Sequence, residues 1–583
     1  MEQQAPARLT KEEMKMSRFV CNAVYFLFLV FFSTMSGFVE GLPIRGPDLS
    51  SCKPVIPPKR TAADAVECCF VDTGRPIKDF KFNLDLPMRV RRPAHKLDDE
   101  SVRKYERAVE LMRALPPEDP RSLVAQSKLH CAYCAGAYNQ FNSSEGLNVH
   151  MCFLDVPFHR WYLYFHERIL ASLLGDDTFA MPYWAWDVQN DEHNPQVNSI
   201  PSIYTNPNSS LYHEYRSKIH QPPHRADLQY FGYSAVNKNP HLLLQDNLYS
   251  MWMSMIGHVQ TTEAFYGGKF SQGDGWSNSR TGEFEGGPHA SIHWWTGDGD
   301  RGMSEDMGPA FSAARDPIFF AHHSNVDRLW TMWKSWGGQD FEDPDWLDAE
   351  FLFYDENSDL VRVNVRDSLH FDNFRVAYEQ VEADWLNYKP KSMRELDPKY
   401  AQAGIWRGLW RQVLTLGFDE DIALSFRGLF QKEKNAMHAS LGGVRRATVT
   451  SRVVRPDVRR KVEESAVYDE VLVISGVVEK PFDAEVVINM FLELPEADET
   501  TPQHCVEFLG GVKMFPEGLP AGMDPTVVRN FTKILGIKET LQILGITRKK
   551  SVTVTFVPAW DPKHDSAVLV GVTDLKAEIR RAR

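Results

Sequence analysis

The sequence predicts a mainly α domain with long loops, followed by a smaller β-rich domain of sandwich-like character. Three observations carry this. Two long helical patterns, at 155–174 and 316–335, each open on an Asp and a Pro. Gly/Asn/Pro-rich loops without clear period separate them. Segments of β-branched, partly alternating residues are concentrated after residue 466. A chain of 583 residues is also too long for one ordinary core.

At the N-terminus, Arg18 precedes an uncharged run from Phe19 to Val39, densest at Ala23–Phe32, then small residues Ser33, Ser36 and Gly37. This is the pattern of a secretory signal peptide over 1–41, with an uncleaved anchor as the alternative. Glu12 and Glu13 count against an organelle transit peptide, which would be acid-poor. The expected route is therefore secretory (secreted or vacuolar), with the plastid thylakoid lumen second, and no membrane span remains after cleavage. Residues 42 to about 85 are rich in Pro and Cys and read as an irregular, stapled segment. Cys52, Cys68, Cys69 and Cys131 are candidates for two disulfides; three pairings are open, of which Cys68 with adjacent Cys69 is strained. Sequons at Asn142, Asn208 and Asn530 are compatible with secretion.

A charged amphipathic pattern at 101–115 reads as a helix ended by Pro116-Pro117. The larger domain is expected over 42–390 and a linker over 391–466. Within the linker, 431–463 is basic (Arg445, Arg446, Arg452, Arg455, Arg459, Arg460, Lys461) and reads as exposed and protease-accessible. Strands are expected at 467–478, 483–494 and 551–560 of a C-terminal domain spanning 467–583. A hydrophobic fraction of 43% and a charged fraction of 25% suit a soluble globular protein. The net charge of −13 argues against nucleic acid as a partner. Fifteen Trp and 35 Phe suit aromatic-lined pockets, and large aromatic cores equally.

Six of the nineteen histidines fall into two triplets. His289 and His293 stand four apart, so on a helix both imidazoles leave one face. His322 and His323 follow inside the 316–335 pattern; adjacent helical residues diverge by about 100°, so one of the pair is expected to join them. The other triplet is His130, His150 and His159. A single buried histidine is more often a core residue than a ligand. Two all-imidazole triplets without carboxylate or thiolate suit copper, with zinc the competitor. No HExxH motif and no Gly-rich phosphate loop occurs.

PFHRWYLYFHERIL, GGPHASIHWWTGD and DPIFFAHHSNVDRLWTMW closely resemble the copper-binding signatures of plant polyphenol oxidases, the catechol oxidases and tyrosinases. The resemblance runs from about Cys52 to Pro390 and resumes near Val467, taking in DPDWLDAEFLFYDEN and, more loosely, KPFDAEVVIN. It implies a four-helix bundle holding two coppers, one on His130, His150 and His159, the other on His289, His293 and His323, with His322 behind them. It further implies a thioether between Cys134 and His150, disulfides Cys52–Cys69 and Cys68–Cys131, and Glu285 as general base. Cys152 and Cys505 have no role in it, and the stretch 391–435 is longer than the family's linker. The implied reaction is oxidation of o-diphenols to o-quinones by O₂, a copper pair exchanging two electrons at once. Phenols, O₂ and an activating protease are the implied partners, because in the family the C-terminal domain covers the site until displaced; an interface of modest size would hold it. A hemocyanin-like oxygen carrier and a specialised phenol hydroxylase or coupling enzyme are the rival readings. Three positions depart from the family around the substrate pocket. Ala290 replaces an asparagine, Trp294 is unusually bulky, and Ala310 replaces a gate phenylalanine that neighbouring Phe311 could supply.

Overall fold

The computed structural model describes residues 41–189, 197–230, 238–275, 278–397, 448–456, 468–478, 486–514, 517–524, 528–559 and 570–582. The N-terminal leader pattern, most of 391–435, and Arg445, Arg446, Arg459, Arg460 and Lys461 lie outside these residues.

Six helices position the site: α1 (Asp99–Ala114), α2 (Leu123–Cys134), α3 (Asp155–Leu174), α4 (Pro240–Trp252), α5 (Ala290–Thr296) and α6 (Ile318–Ser335). The Asp98 side chain accepts from Ser101 N (2.8 Å) and starts α1, which buries Tyr105, Ala108, Val109 and Met112 at helical spacing. The Ser122 hydroxyl caps α2 in the same way by accepting from Ala125 N. Gly175, at φ 66°, ends α3 in the left-handed conformation its missing Cβ permits.

From Asp155 to Ala171, α3 is buried on every side, so its charges need partners inside the core. Glu167 takes Arg89 at 2.8 Å and Arg91 at 2.9 Å. Arg160 donates to Asp327 on α6 (2.5 Å) and lies 3.5 Å over the Trp330 ring, clamping the two long helices together. The α6 pattern begins two residues later than Asp316, because that side chain accepts from Ile318 N and binds Arg216. The segment DPDWLDAEFLFYDEN turns into an antiparallel hairpin, Glu350–Tyr354 with Leu360–Asn364, packed on α3. The disulfides are Cys52–Cys69 and Cys68–Cys131, so the irregular N-terminal segment is stapled to α2.

Among the described residues, the sheets of the C-terminal region are built from seven strands: β1 (Val449–Val454), β2 (Tyr468–Val478), β3 (Val486–Leu492), β4 (Phe508–Met514), β5 (Arg529–Gly536), β6 (Ser551–Ala559) and β7 (Val570–Arg581). They form two antiparallel sheets, in the orders β4-β3-β6-β1 and β5-β2-β7, around one shared apolar core that includes Leu472, Ile474, Met490, Leu492, Val554 and Phe531. Strand β1 corrects the reading of 431–463 as exposed linker. Val449–Val454 pairs with Ser551–Phe556, and the Arg455 guanidinium binds Glu470 at 2.6 and 2.7 Å. Its basic residues concealed an alternating strand, since only Val453 of the six is buried.

This region is seated on the helical one through more than a modest interface. Lys533 reaches buried Glu283 (2.7 Å), His504 meets Asp246 (2.8 Å), and the Tyr249 hydroxyl donates to Phe508 O (2.6 Å). Tyr249, Trp252 and Met253 of the helical region share an apolar cluster with Phe491, Leu494, Phe508 and Val557. Leu519–Pro520 pairs with Val55–Ile56 of the stapled segment. Among the described residues no helix is long and apolar enough to cross a membrane.

Glu167 is the test of the core. Glu167→Gln leaves buried Arg89 without its anion and Arg91 with only Asp327 at 3.5 Å, and is expected to cost about 3–5 kcal/mol. Arg107→Gln, at an exposed pair with Glu110, should change stability by about 0.5 kcal/mol or less. Denaturant unfolding of both variants makes the comparison.

Candidate functional site

Both histidine triplets sit where the helices meet. His130 lies on α2 with Cys134 one turn on, His159 on α3, and His150 in the loop between, followed by Met151 at φ 59°. His289 ends a widened helical turn, Glu285–His289, that runs into α5, which carries His293. Gly287 lets that turn approach the neighbouring chain, since a Cβ there would stand 2.8 Å from Ser254 Oγ. His322 and His323 come from α6.

The rings are aimed by the backbone. Nδ1 of His130 bonds to Ala310 O (2.9 Å), of His159 to Asp155 O (2.8 Å), of His289 to Glu285 O (3.1 Å) and of His293 to Met307 O (2.7 Å). A carbonyl can only accept, so each of these Nδ1 atoms carries the proton and each Nε2 keeps its lone pair. Nε2 of His130, His150, His159 and His289 is buried without a hydrogen-bond partner, and Nε2 of His293 and His323 lie 3.1 Å apart. Within His130, Cys134, His150 and His159, and within His289, His293, His322 and His323, the ligand atoms all lie within 4.8 Å of one another. The His159 and His323 rings stack with centroids 4.0 Å apart, so the groups adjoin. Orphaned lone pairs in two adjoining all-imidazole groups fit two soft-to-borderline metal ions, copper above all.

Burial is the leading cause that pushes His130, His293, His322 and His323 far below the usual imidazole range, and His150 down to about 3. It also lowers His289. Neighbouring imidazoles add to this, and all stay neutral as metal binding requires. Burial, then the Asp155 carboxylate, raise Glu285 well above the carboxylate range, whereas the His159 imidazole leads the effects that take Asp155 down to about 2. Glu285 Oε1 accepts from Met151 N at 2.5 Å, and its Oε2 has no partner.

All six expected histidines converge. Both His322 and His323 lie against His289 and His293. His322 packs against His289 (5.2 Å) and His293 (4.6 Å), while His323 alone of the pair reaches the His159 ring. Cys134 is a buried free thiol in the first group. Ala290 is half-buried beside His289, and Ala310 holds His130 through its carbonyl. Trp294 is buried in the main apolar core. Phe311 is turned under the C-terminal segment, where a Cβ on Gly518 would meet its ring at 3.2 Å. Two functional features escaped the sequence reading. The carbonyls of Ala310 and Met307 carry no side-chain signal. Asp155 passed as a helix opener, although its place four residues before His159 was a usable clue.

Helical fold and paired imidazole groups together define a tyrosinase-type dicopper oxidoreductase. Residues 120–335 match the common central domain of tyrosinase, 340–391 the polyphenol oxidase middle domain, and 444–572 the chloroplastic polyphenol oxidase C-terminal domain. Chloroplastic polyphenol oxidase A1 of Vicia faba is 38% identical over 520 residues, 88% of this chain and 82% of that one. Aureusidin synthase of Antirrhinum majus is 37% identical over 540 residues, 91% and 87% of the two chains. The structure of latent apple tyrosinase superposes with a TM-score of 0.69 at 34% identity, over 87% of this chain and 100% of that one. The chain belongs to the plant polyphenol oxidase family.

The same comparisons overturn the secretory destination. The Vicia relative is chloroplastic, as are three further polyphenol oxidases matching at 37–38% identity. A basic residue followed by an apolar run is read by membrane translocation machinery in general, so the pattern did not specify which membrane.

The neutral imidazoles set a pH dependence. Below the value of about 6.5 for an exposed imidazole, the unfolded chain takes up protons that the buried imidazoles of the native metal-free protein refuse, His150 down to about pH 3. Stability is complete above the unfolded value and is lost as pH falls through that window. Each such histidine contributes at most about 1.4 kcal/mol per pH unit. The unfolding midpoint of metal-free protein should fall steeply from pH 7 to 5, and copper loading should flatten the curve in a thermal scan.

Proposed function

We propose that this enzyme oxidises o-diphenols to o-quinones, with His130, His150 and His159 holding one copper and His289, His293 and His323 the other. The observation that carries the reading is the convergence of buried, hydrogen-bond-free Nε2 atoms from both groups, with the rings of His130, His159, His289 and His293 aimed by their Nδ1 atoms. Bound there, a copper pair supplies a two-electron exchange with O₂. The chain does the rest. Backbone carbonyls hold the rings, the aromatic core around Phe319 and Trp294 excludes water, and Glu285 accepts a phenolic proton on its free Oε2. Its raised pKa makes it the stronger base, and the Met151 amide fixes its other oxygen. Cys134 is proposed to link to His150, which it neighbours. His289→Ala or His323→Ala should lose one copper and oxidase activity while keeping the fold; full catechol turnover in either would refute the assignment.

The likeness to aureusidin synthase favours one second reading, a specialised hydroxylase or coupling enzyme on the same scaffold. Lacking an asparagine at 290, the enzyme is expected to oxidise diphenols well above matched monophenols, and Ala290→Asn to raise the monophenol rate. Equal wild-type rates in oxygen uptake would favour the second reading.

The full-length form is proposed to be latent. Glu517 binds Arg529, whose Nη2 contacts Met151 beside His150, and Gly518 lies against Phe311. Because the interface includes a buried ion pair and an apolar cluster, cutting the chain between the domains would leave the C-terminal piece docked. Activity should rise when that piece dissociates, at constant copper content. Catechol oxidation measured on the separated helical fragment decides it, unchanged turnover ruling latency out.

A further inference from the structure

Asp155 opens α3, and its one part in the proposed reaction is its effect on Glu285. It is 1% exposed. Its Oδ1 stands 3.2 Å from His159 Nδ1 and 3.6 Å from His150 Nε2, without a hydrogen-bond partner of its own. Among the described residues these two imidazoles are its only ion-pair partners. Its backbone carbonyl also takes the His159 Nδ1 proton. One residue thus takes the His159 Nδ1 proton on its carbonyl and sets its carboxylate beside both rings. The other group has no such carboxylate. His289 and His293 are held by carbonyls alone, and the Glu285 side chain is turned to the Met151 amide.

A carboxylate buried beside neutral imidazoles lacks a countercharge, and such a charge is costly to keep. A cation held by those imidazoles would supply one, and a carboxylate behind a metal-binding histidine fixes the ring and raises its basicity. We infer that Asp155 is the positioning residue of the first copper site: its carbonyl fixes the His159 ring, and its carboxylate, set beside His159 and His150, offsets the charge of the bound ion. The two groups therefore offer the same donors at different charge, and the first binds copper more tightly.

The inference rests on the copper assignment above, which wild-type stoichiometry tests by itself. Metal-free full-length protein, Asp155→Asn and Asp155→Leu are titrated with copper against a competing chelator, and each metal-free form is unfolded thermally. Wild type should bind two coppers; fewer would fail the assignment, not the role of Asp155. In both variants one site should weaken by about tenfold or more, with the other unchanged. The metal-free variants should unfold at the wild-type temperature or above it, because an uncompensated buried charge is gone. A merely structural residue would lower that temperature instead. Wild-type affinity at both sites, equal weakening of both, or marked loss of metal-free stability overturns the inference. If one substitution prevents folding, the other gives the same readout.

Discussion

The structure depends on burying a cluster of imidazoles without charging them. Seven histidines crowd one region, where a proton on any ring would repel its neighbours and lack solvation. The fold's answer is to spend Nδ1–H on backbone carbonyls. That choice sets the tautomer, the ring plane and the direction of the lone pair in one bond. It also explains why the site needs irregular chain between the helices. Ala310 and Met307 are in the loop after α5, and their carbonyls point inward because no helix consumes them.

The surrounding helices answer a second constraint, that a site buried this deeply must be walled by elements which themselves cannot reach water. α3 is the clearest case: it is buried all round, and its Arg and Glu residues are matched by Arg89, Arg91 and Asp327. These pairs do not make the domain stable by themselves, since apolar side chains of similar volume could do as well. What they fix is the rotation of α3 against α6, and with it the approach of His159 to His323.

Much of this was legible in the sequence because it was written in period and spacing. The 155–174 and 316–335 patterns became α3 and α6 almost residue for residue, and the three expected C-terminal segments are strands. The histidines were legible because a His four residues from another leaves a helix on the same side. Three things were not. Val449–Val454 hid because one face of an edge strand is solvated, so its Arg and Ser residues read as linker. The aim of the rings hid because carbonyls have no letter in the sequence. The nearness of Asp155 to the His159 and His150 rings hid because the same residue reads as a helix opener.

The C-terminal region shows how a cover can be built without touching the imidazoles. Its contacts to the helical region are made at the rim: Lys533 to Glu283, two backbone bonds between Ser279 and the strand at Asn530–Thr532, and Leu519–Pro520 against Val55–Ile56. Glu283 is two residues from Glu285 and six from His289, so the ion pair grips the turn that aims His289 and His293. Val55–Ile56 is in turn tied through the Cys52–Cys69 and Cys68–Cys131 disulfides to α2, one residue from His130. Each group of imidazoles thus has a mechanical link to the C-terminal region through the element that carries it. In the proposed latent form, lifting the region would free the approach to the site and loosen both carriers a little, while the bonds from Nδ1 to Ala310, Asp155, Glu285 and Met307, all internal to the helical region, would stay in place. Access can change while the aim of the rings does not.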